Sequence, residues 1–354
     1  MRTALKTAPR HLDLLPNGQR HVTAHVQDRQ TTLNLPIGLT LLRILLVVGI
    51  TGCRGEHSQA GPTVDAQADA DLPAGSVISI VSGETGAPVA GASLLAGGRQ
   101  LESDAAGRVT LTERLDARTA VDVVAAGYLD RVTRLRSREP IELWPERSPT
   151  GLDERYSAML VYTSTSDRDT PFAGDPLYRL GSQTRQVYLV PGAELQADSV
   201  SMEALENAAA KIGMASASQV AYSVTKSPPA GAVRFDVWLD ASASNCEGAR
   251  AFTSRSLRGA EIVGGSITFC SLEASRGATA THEVGHTFGF RHGPAARDVM
   301  YRSNSPMRAV DFSAREALAA RLMLLRPPGN RWPDNDRDVT TAASRGIETI
   351  VCRW

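Results

Sequence analysis

One segment constrains this 354-residue chain more than any other, and it reads ATATHEVGHTFGFRHGPAARDVMY over residues 278–301. It contains the pattern HExxHxxGxxH, which supplies histidines at His282, His286 and His292. His282 and His286 are four residues apart, so on a helix they share one face and can offer two imidazoles to one cation. The segment therefore predicts a metal-binding helix.

Two further residues of this pattern favour a catalytic site over a structural one. Glu283 follows the first histidine directly, and a rotation of roughly a third of a turn puts its carboxylate beside the cation, where it can act as a base. Gly289 can adopt a left-handed conformation that ends the helix and lets His292 approach as a third ligand. Three histidines with a fourth position open to water are typical of catalytic zinc.

The distribution of histidines excludes several other enzyme classes. The remaining ones all lie near the N-terminus, at His11, His21, His25 and His57. A Ser-His-Asp or Cys-His hydrolase would therefore have no histidine base outside the metal motif. The sequence has no GxxxxGK[ST] phosphate loop, and its formal net charge of zero gives no reason to expect a nucleic-acid partner.

The motif and the residues after it resemble the metzincin family of zinc endopeptidases. Five residues match the family signature: His282, Glu283, His286, Gly289 and His292. DVMY at residues 298–301 matches the family's Met-turn, and the spacing from the third histidine to Met300 is closest to the matrixin branch. The resemblance implies one catalytic zinc held by the three histidines, Glu283 as the base, Met300 beneath the ligands, and a protein or peptide substrate.

The same resemblance implies a fold. It is an α+β fold with a twisted mixed sheet, a zinc helix across its middle and a small C-terminal helical subdomain. GGSITFC, residues 264–270, would be the edge strand that pairs with an extended substrate, and SAREALAARLMLL, residues 313–325, the C-terminal helix. Gly293 and Arg302 depart from the matrixin pattern, which usually has Ser and Pro there. A second, structural zinc and latency through a PRCGxPD-like propeptide are not expected.

Two residues near the motif each allow two roles. Tyr301 either stabilises an oxyanion or packs beside Met300, and the sequence favours packing. Asp298 either orients a ligand histidine or caps the turn, and the sequence favours the turn.

Residues 1–53 are predicted to be an export signal of the lipoprotein type. Residues 33–53 read LNLPIGLTLLRILLVVGITGC, a short apolar run that ends in small residues before Cys53. That ending resembles a bacterial lipobox, so we expect Cys53 to be lipidated, with a plain signal peptide or an uncleaved anchor as alternatives. The polar residues 54–75 predict a flexible tether. The protein is thus expected to be a cell-envelope lipoprotein, in the outer membrane if Gram-negative, or to be secreted.

Residues 76–146 predict a small all-β domain. Short β-type runs such as SVISIVS, GRVTLTE and AVDVVAAG alternate with turns. The order of these runs resembles the carboxypeptidase-regulatory-like domain, an immunoglobulin-like β-sandwich, through Gly86, Pro88, Gly91, Ala92, Asp104, Gly107, Gly127 and Tyr128. No catalytic residue is expected there, and a spacer or docking role is the favoured interpretation.

Residues 151–354 alternate strand and helix patterns, which is typical of an α+β domain. Strands are predicted at SAMLVYTST, RQVYLVPG, VAYSVT, FDVWLDA and GGSITFC. SMEALENAAAKIG, residues 201–213, is predicted to be a helix opened by a Ser cap, and residues 313–325 a second helix stopped by Pro327-Pro328-Gly329.

Three cysteines remain after Cys53. In an oxidising compartment we expect one disulfide, with Cys246 and Cys270 the favoured pair, and a free thiol at Cys352. No CxxC pattern occurs, so the sequence does not support a thiolate zinc ligand. The oxygen-rich stretch RPPGNRWPDNDRD, residues 326–338, could bind calcium, but its spacing fits no EF-hand and a rigid surface loop is favoured.

These observations together predict a monomeric, exported, zinc-dependent endopeptidase. The alternative is a surface lipoprotein that binds or docks a partner, with a catalytically idle or self-processing metzincin-like domain. The intact Glu283 favours the enzyme, because an inert zinc scaffold has no need of a base at that position.

Overall fold

The computed structural model describes residues 71–116, 118–135, 139–162, 171–172, 174–302, 308–336 and 345–353, which form a mixed α/β protein with several sheets and five α-helices. The chain divides into two compact units, residues 1–61 and 62–354, and every described residue belongs to the second. The export signal, Cys53 and most of the tether lie outside the described residues. Among the described helices, none has the length and apolar character needed to cross a bilayer.

Two small sheets form the N-terminal part. In the first, β1 (Val77–Ser82) lies between β4 (Arg108–Thr110) and β7 (Ile141–Leu143), and the second has the order β3 (Arg99–Glu102), β2 (Ser93–Ala96), β5 (Ala120–Val124) and β6 (Arg131–Arg134). Alternate residues of β1, β2 and β5 are buried, as expected for strands with one face on a core. One hydrophobic cluster fills this part, including Ile80, Leu94, Val121 and Leu143. The predicted strands of this region are confirmed, whereas its immunoglobulin-like relationship stays a prediction.

A seven-stranded sheet organises the rest of the chain. Its order is β10 (Ala221–Val224), β9 (Gln186–Pro191), β11 (Val233–Leu239), β13 (Glu261–Phe269), β12 (Ala249–Arg258) and β14 (Arg345–Arg353), with β8 (Arg179–Leu180) also on β13. The first four strands of that order are parallel, and β12 is antiparallel to both its neighbours. The antiparallel end of the sheet carries the C-terminus of the chain.

The described residues form five α-helices: α1 (Glu154–Ser157), α2 (Ala193–Gln196), α3 (Ser199–Ala215), α4 (Gly277–Phe288) and α5 (Ala314–Leu324). The predicted Ser cap of α3 is wrong. The cap is Asp198, whose carboxylate accepts a hydrogen bond from the backbone N–H of Ser201. The α5 helix begins with a reciprocal capping box between Ser313 and Glu316.

One strand prediction and one edge placement are wrong. The described part of SAMLVYTST is helical, with Ser157 ending α1 and Ala158–Tyr162 forming a π-helical turn. All of these residues are buried, and a continuously apolar run does not distinguish a buried helix from a buried strand. GGSITFC lies largely in β13, which is flanked by β11 and β12 and is therefore not an edge. The edge strand on this side of the sheet is β14, and neither β12 nor β14 was among the predicted strands.

The stretch at residues 326–336 joins the two parts. Asp336 accepts a hydrogen bond of 2.9 Å from the hydroxyl of Thr133 and forms an ion pair of 3.6 Å with Arg131, both in β6. Asp334 forms a buried ion pair of 2.8 Å with Arg326. These carboxylates thus face arginines, and the structure gives no support to a calcium site in this stretch.

Candidate metal centre

The motif helix α4 is buried along most of its length, from Thr279 to Phe288. It ends at Gly289, whose φ of 131° is rarely adopted by other residues. A Cβ at this position would lie 2.6 Å from the carbonyl oxygen of Tyr178, so both conformation and space require glycine. The chain can therefore leave the helix and turn back towards its own histidine face.

Two ring nitrogens of α4 are fixed by backbone carbonyls. The Nδ1–H of His282 donates to the carbonyl of Val299 at 2.7 Å, and that of His286 donates to the carbonyl of Phe290 at 2.9 Å. A carbonyl can only accept, so the proton of each neutral ring sits on Nδ1 and the lone pair on Nε2. The two Nε2 atoms lie 3.1 Å apart, facing a common point.

Two residues from elsewhere complete the group. His292 follows the turn after α4, and Cys352 comes from β14 near the C-terminus. The Sγ atom of Cys352 lies 3.3, 3.4 and 3.6 Å from the Nε2 atoms of His282, His286 and His292. All four side chains are buried, and their ligand atoms lie within 4.8 Å of one another. The group could hold a metal ion.

Four of the six distances among these ligand atoms are close to those of tetrahedral coordination. Zn–N bonds of about 2.0–2.1 Å and Zn–S bonds of about 2.3 Å imply N···N distances of about 3.3 Å and N···S distances of about 3.5 Å. The distances of 3.1 Å between two nitrogens and 3.3–3.6 Å from nitrogen to sulfur are close to these values. Nitrogen and sulfur donors in this number suit zinc among the common divalent ions.

Burial keeps the imidazoles neutral. It lowers the pKa of His282 and His286 well below the usual value, and it lowers the pKa of His292 to about 3. Neighbouring positive groups, including Arg308, act in the same direction. Burial also raises the pKa of the Cys352 thiol, with the nearby Glu283 carboxylate adding to the effect. A metal would reverse the preference of the thiol, since a coordinated thiol is deprotonated.

Glu283 lies beside this group without being part of it. Its Oε2 accepts a hydrogen bond of 2.7 Å from the hydroxyl of Thr253, a fully buried residue of β12. Its Oε1 has no conventional hydrogen-bond partner among the described residues, but the Cys352 thiol is close enough for the two groups to shift each other's pKa. Burial raises the pKa of Glu283 to about 7, whereas the nearby Cys352 thiol and the Thr253 hydroxyl act to lower it.

Met300 lies directly against α4, between the two histidines of the helix. A Cβ at Gly285 would stand only 2.4 Å from its Sδ atom. The backbone N–H of Met300 donates to the buried carboxylate of Glu316 at 2.8 Å, which ties the turn to α5. Met300 thus packs against the part of α4 that carries His282 and His286.

The two ambiguous residues of the turn are also placed. The carboxylate of Asp298 accepts hydrogen bonds from the hydroxyl of Tyr156 at 2.7 Å and from Arg315 at 3.0 Å, and neither partner is a histidine. Its backbone N–H and carbonyl bond within the turn, so its contacts match the turn role. Tyr301 is half-buried, its backbone pairs with Gly293, and its hydroxyl makes no hydrogen bond among the described residues.

The cysteines behave differently from the expectation in one respect. Cys246 and Cys270, the favoured pair, form a disulfide, and Cys352 is the free thiol. The absence of a CxxC pattern gave no support for a thiolate zinc ligand, yet the Cys352 thiol faces all three histidines. Its thiol arrives from a strand that begins more than fifty residues after the motif, so no local CxxC spacing could reveal it.

Sequence analysis also missed the residues that hold β14 in place. Glu348 of β14 forms ion pairs with the buried Arg255 of β12 and with the buried Arg291 next to the third histidine. Thr253 was missed as well. The alternation of Arg255, Thr253 and Ala251 along one face of β12 could have indicated them, had this strand been recognised.

The chain was compared with models of known protein families and with curated proteins, and neither comparison gave a match.

Proposed function

We propose that the chain is a zinc-dependent endopeptidase in which Glu283 is the base. The observation that carries the proposal is the position of the Glu283 carboxylate beside the Cys352 thiol, whose Sγ atom faces the Nε2 atoms of the three histidines. A buried carboxylate is costly unless it is used or fully paired, and a metal site with only a structural role does not need one there. When bound, zinc polarises the carbonyl of a substrate and lowers the pKa of a water molecule to about 7.

The chain's own residues would divide the remaining tasks. Thr253 holds Oε2 of Glu283, which leaves Oε1 to accept a proton from the attacking water and pass it to the nitrogen of the leaving amine. Val299 and Phe290 fix the imidazole planes through their carbonyls. An extended substrate would pair with β12 along the edge that faces away from β13.

Cys352 gives the proposal a condition. In the structure its thiol stands where a catalytic site keeps its open position, and β14 covers the edge of β12. The wild-type chain in this conformation is therefore expected to be latent. This form of latency differs from that of a PRCGxPD-like propeptide, because the cysteine lies in β14, after the metal motif.

The second candidate is a binding or docking protein with a structural metal site, and one observation favours it. Four protein ligands and no open position are the pattern of structural zinc. On this interpretation Cys352 would be a permanent ligand and β14 a permanent edge strand. Localisation at the cell envelope is a prediction under both candidates and distinguishes neither.

The test compares three full-length chains on unfolded casein, with the metal content of each measured by elemental analysis. The proposal predicts cleavage by the Cys352→Ala variant, loss of cleavage on chelation and its return with zinc. The Cys352→Ala/Glu283→Gln variant should bind one metal and cleave nothing, and the wild type should cleave far more slowly than Cys352→Ala. A folded Cys352→Ala variant with one metal per chain and no cleavage would contradict the peptidase and favour the structural site.

A further inference from the structure

The C-terminal strand β14 has the geometry of a bound extended peptide. It runs antiparallel to β12 over its whole length, with Glu348 opposite Arg255 and Cys352 opposite Ala251. Every second residue points into the protein, so Ile350 is 4% exposed whereas Ile347 is 79% exposed. The inward face of β14 thus presents an acid, an apolar side chain and a metal-facing residue, each two positions apart.

The acid is held by a receptor that belongs entirely to the body of the domain. Arg255 donates to one carboxylate oxygen of Glu348 and Arg291 to the other. Both guanidinium groups lie over the ring of Tyr178, at 6.0 and 5.4 Å from its centroid. The two arginines are 0% and 3% exposed, so the receptor is built into the protein and is not a surface cluster.

This receptor favours an anion between its two arms. Two guanidinium groups brought together away from water repel each other, and a carboxylate offsets that cost with charge-assisted hydrogen bonds. Among the described residues, Glu348 is the one carboxylate that forms an ion pair with Arg255. If β14 leaves the edge of β12, another acidic group is favoured in the same place.

The two arginines also lie on the same face of the groove as the base Glu283 and the histidines. Arg255, Thr253 and Ala251 alternate along the inward face of β12, opposite Glu348, Ile350 and Cys352. Thr253 bonds the base Glu283, and Arg255 lies 3.5 Å from the carbonyl of His286 in α4. An extended peptide bound at the two arginines would therefore run along β12 past Glu283 and reach the histidines.

We propose that the edge of β12 is a peptide-binding groove selective for an acidic side chain four residues before the residue at the metal, with Arg255 and Arg291 as its acidic subsite. The strand β14 is its internal occupant. The cleavage of such peptides rests on the proposed function, but their binding does not. The substrate class that follows is an extended peptide with an acidic residue, an apolar residue two positions later, and the reacting segment two positions beyond.

The test uses Cys352 as the reporter, in the full-length, zinc-loaded Glu283→Gln chain so that added peptides stay intact. Cys246 and Cys270 are joined in a disulfide, and alkylation at Cys352 is read separately from that at Cys53 by mass spectrometry of the digested chain. The rate at which iodoacetamide alkylates Cys352 then measures how often β14 leaves the groove. The two probes are a synthetic copy of residues 345–353 with alanine in place of its cysteine, and the same peptide with glutamine in place of its glutamate.

The glutamate peptide should accelerate alkylation of Cys352 in a saturable manner, because it captures the groove whenever β14 opens. The glutamine peptide should need at least about a tenfold higher concentration for the same effect, since it loses two charge-assisted hydrogen bonds. The same comparison in a chain that also carries Glu348→Gln, whose β14 is held less firmly, should show faster basal alkylation and the same peptide preference.

Equal effects of the two peptides would overturn the acidic subsite, and so would the absence of any peptide effect in both chains. Arg291→Gln provides a second arm, since it should reduce the preference for the glutamate peptide even where Arg255 variants fold poorly. The readout requires no turnover. A protein that captures the glutamate peptide yet never cleaves casein as Cys352→Ala would retain the groove and lose the proposed function.

Discussion

The Sγ atom of Cys352 lies 3.3 Å from the Nε2 atom of His282, although 70 residues separate the two along the chain. This contact couples the last strand of the sheet to the first histidine of the motif helix. A metal held between them would fix both elements at once, so the occupancy of the site and the position of β14 should change together.

Metal binding should stabilise the folded wild-type chain through both the histidines and Cys352. An ion that binds only the folded state at about 1,000 times its Kd contributes about 4 kcal/mol, and one kcal/mol raises Tm by roughly 2–4 °C in chains of similar size. We therefore expect added zinc to raise Tm by on the order of 10 °C and chelation to reverse this. The Cys352→Ser variant should show a smaller rise, and His286→Ala almost none. Scanning calorimetry measures the Tm of the wild type and the two variants with and without zinc. An equal rise in all three proteins would show that Cys352 and His286 do not bind the ion.

Because Gly285 and Met300 are closely packed, a larger side chain at residue 285 should destabilise the folded protein. Gly285→Ala would place a Cβ 2.4 Å from Sδ of the fully buried Met300, and overpacking of this kind costs roughly 1–3 kcal/mol of unfolding free energy. The double variant Gly285→Ala/Met300→Ala should recover part of that loss, because the smaller side chain makes room. Denaturant unfolding of the two single variants and the double variant measures the coupling. Strictly additive losses would argue against the contact.

The hydroxyl of Thr253 should position the base. Thr253→Val keeps the shape of the side chain but removes the donor to Oε2 of Glu283, leaving a buried carboxylate oxygen unpaired. In the Cys352→Ala background we expect kcat to fall about 10–100-fold with little change in KM. Ser254→Ala is the matched control, since its hydroxyl pairs with Thr349 on the outward side of the same strand. A loss of the same size in both variants would point to a general disturbance of β12.

Glu316 should make stability depend on pH. Burial raises its pKa from the ordinary 4.5 to about 7, and repulsion from Asp298 adds to the shift. Because the pKa is higher in the folded state, the carboxyl contributes stability that is fully present below about pH 4.5 and is lost as the pH rises through about 7. The full effect is on the order of 3 kcal/mol.

Comparison with Glu316→Gln isolates this contribution. The unfolding free energy of the wild type minus that of the variant should fall between about pH 4.5 and pH 7, measured by urea unfolding at fixed zinc concentration. Glu203→Gln, which changes an exposed residue of α3, is the control and should follow the wild-type profile. A difference that stays constant or rises with pH would contradict the predicted direction.

The part of the site that follows one helix and one turn could be predicted from the sequence. His282, Glu283 and His286 are related by helical spacing, and Gly289 marks the end of the helix, so local geometry brings them together. Strands were likewise predicted correctly at SVISIVS, GRVTLTE and AVDVVAAG, because apolar residues alternate with polar ones in these runs and turns separate them.

Cys352 could not be placed in the same way. Its position depends on the pairing of β14 with β12, and both strands carry polar residues on their inward faces, Glu348 on one and Arg255 and Thr253 on the other. The usual rule that inward positions are apolar therefore fails where the structure builds ion pairs and a metal site. The odd number of cysteines was the only sequence signal, and it indicated a free thiol without indicating its neighbours.

The most direct test of the account is the absorption spectrum of the full-length chain loaded with Co²⁺ in place of zinc. Because Cys352 lies with the three histidines, we predict one cobalt per chain and a thiolate-to-cobalt charge-transfer band that disappears in Cys352→Ser while d–d bands of a four-coordinate ion remain. A chain that binds no cobalt, or a spectrum that is the same in wild type and Cys352→Ser, would contradict the metal site on which both proposals rest.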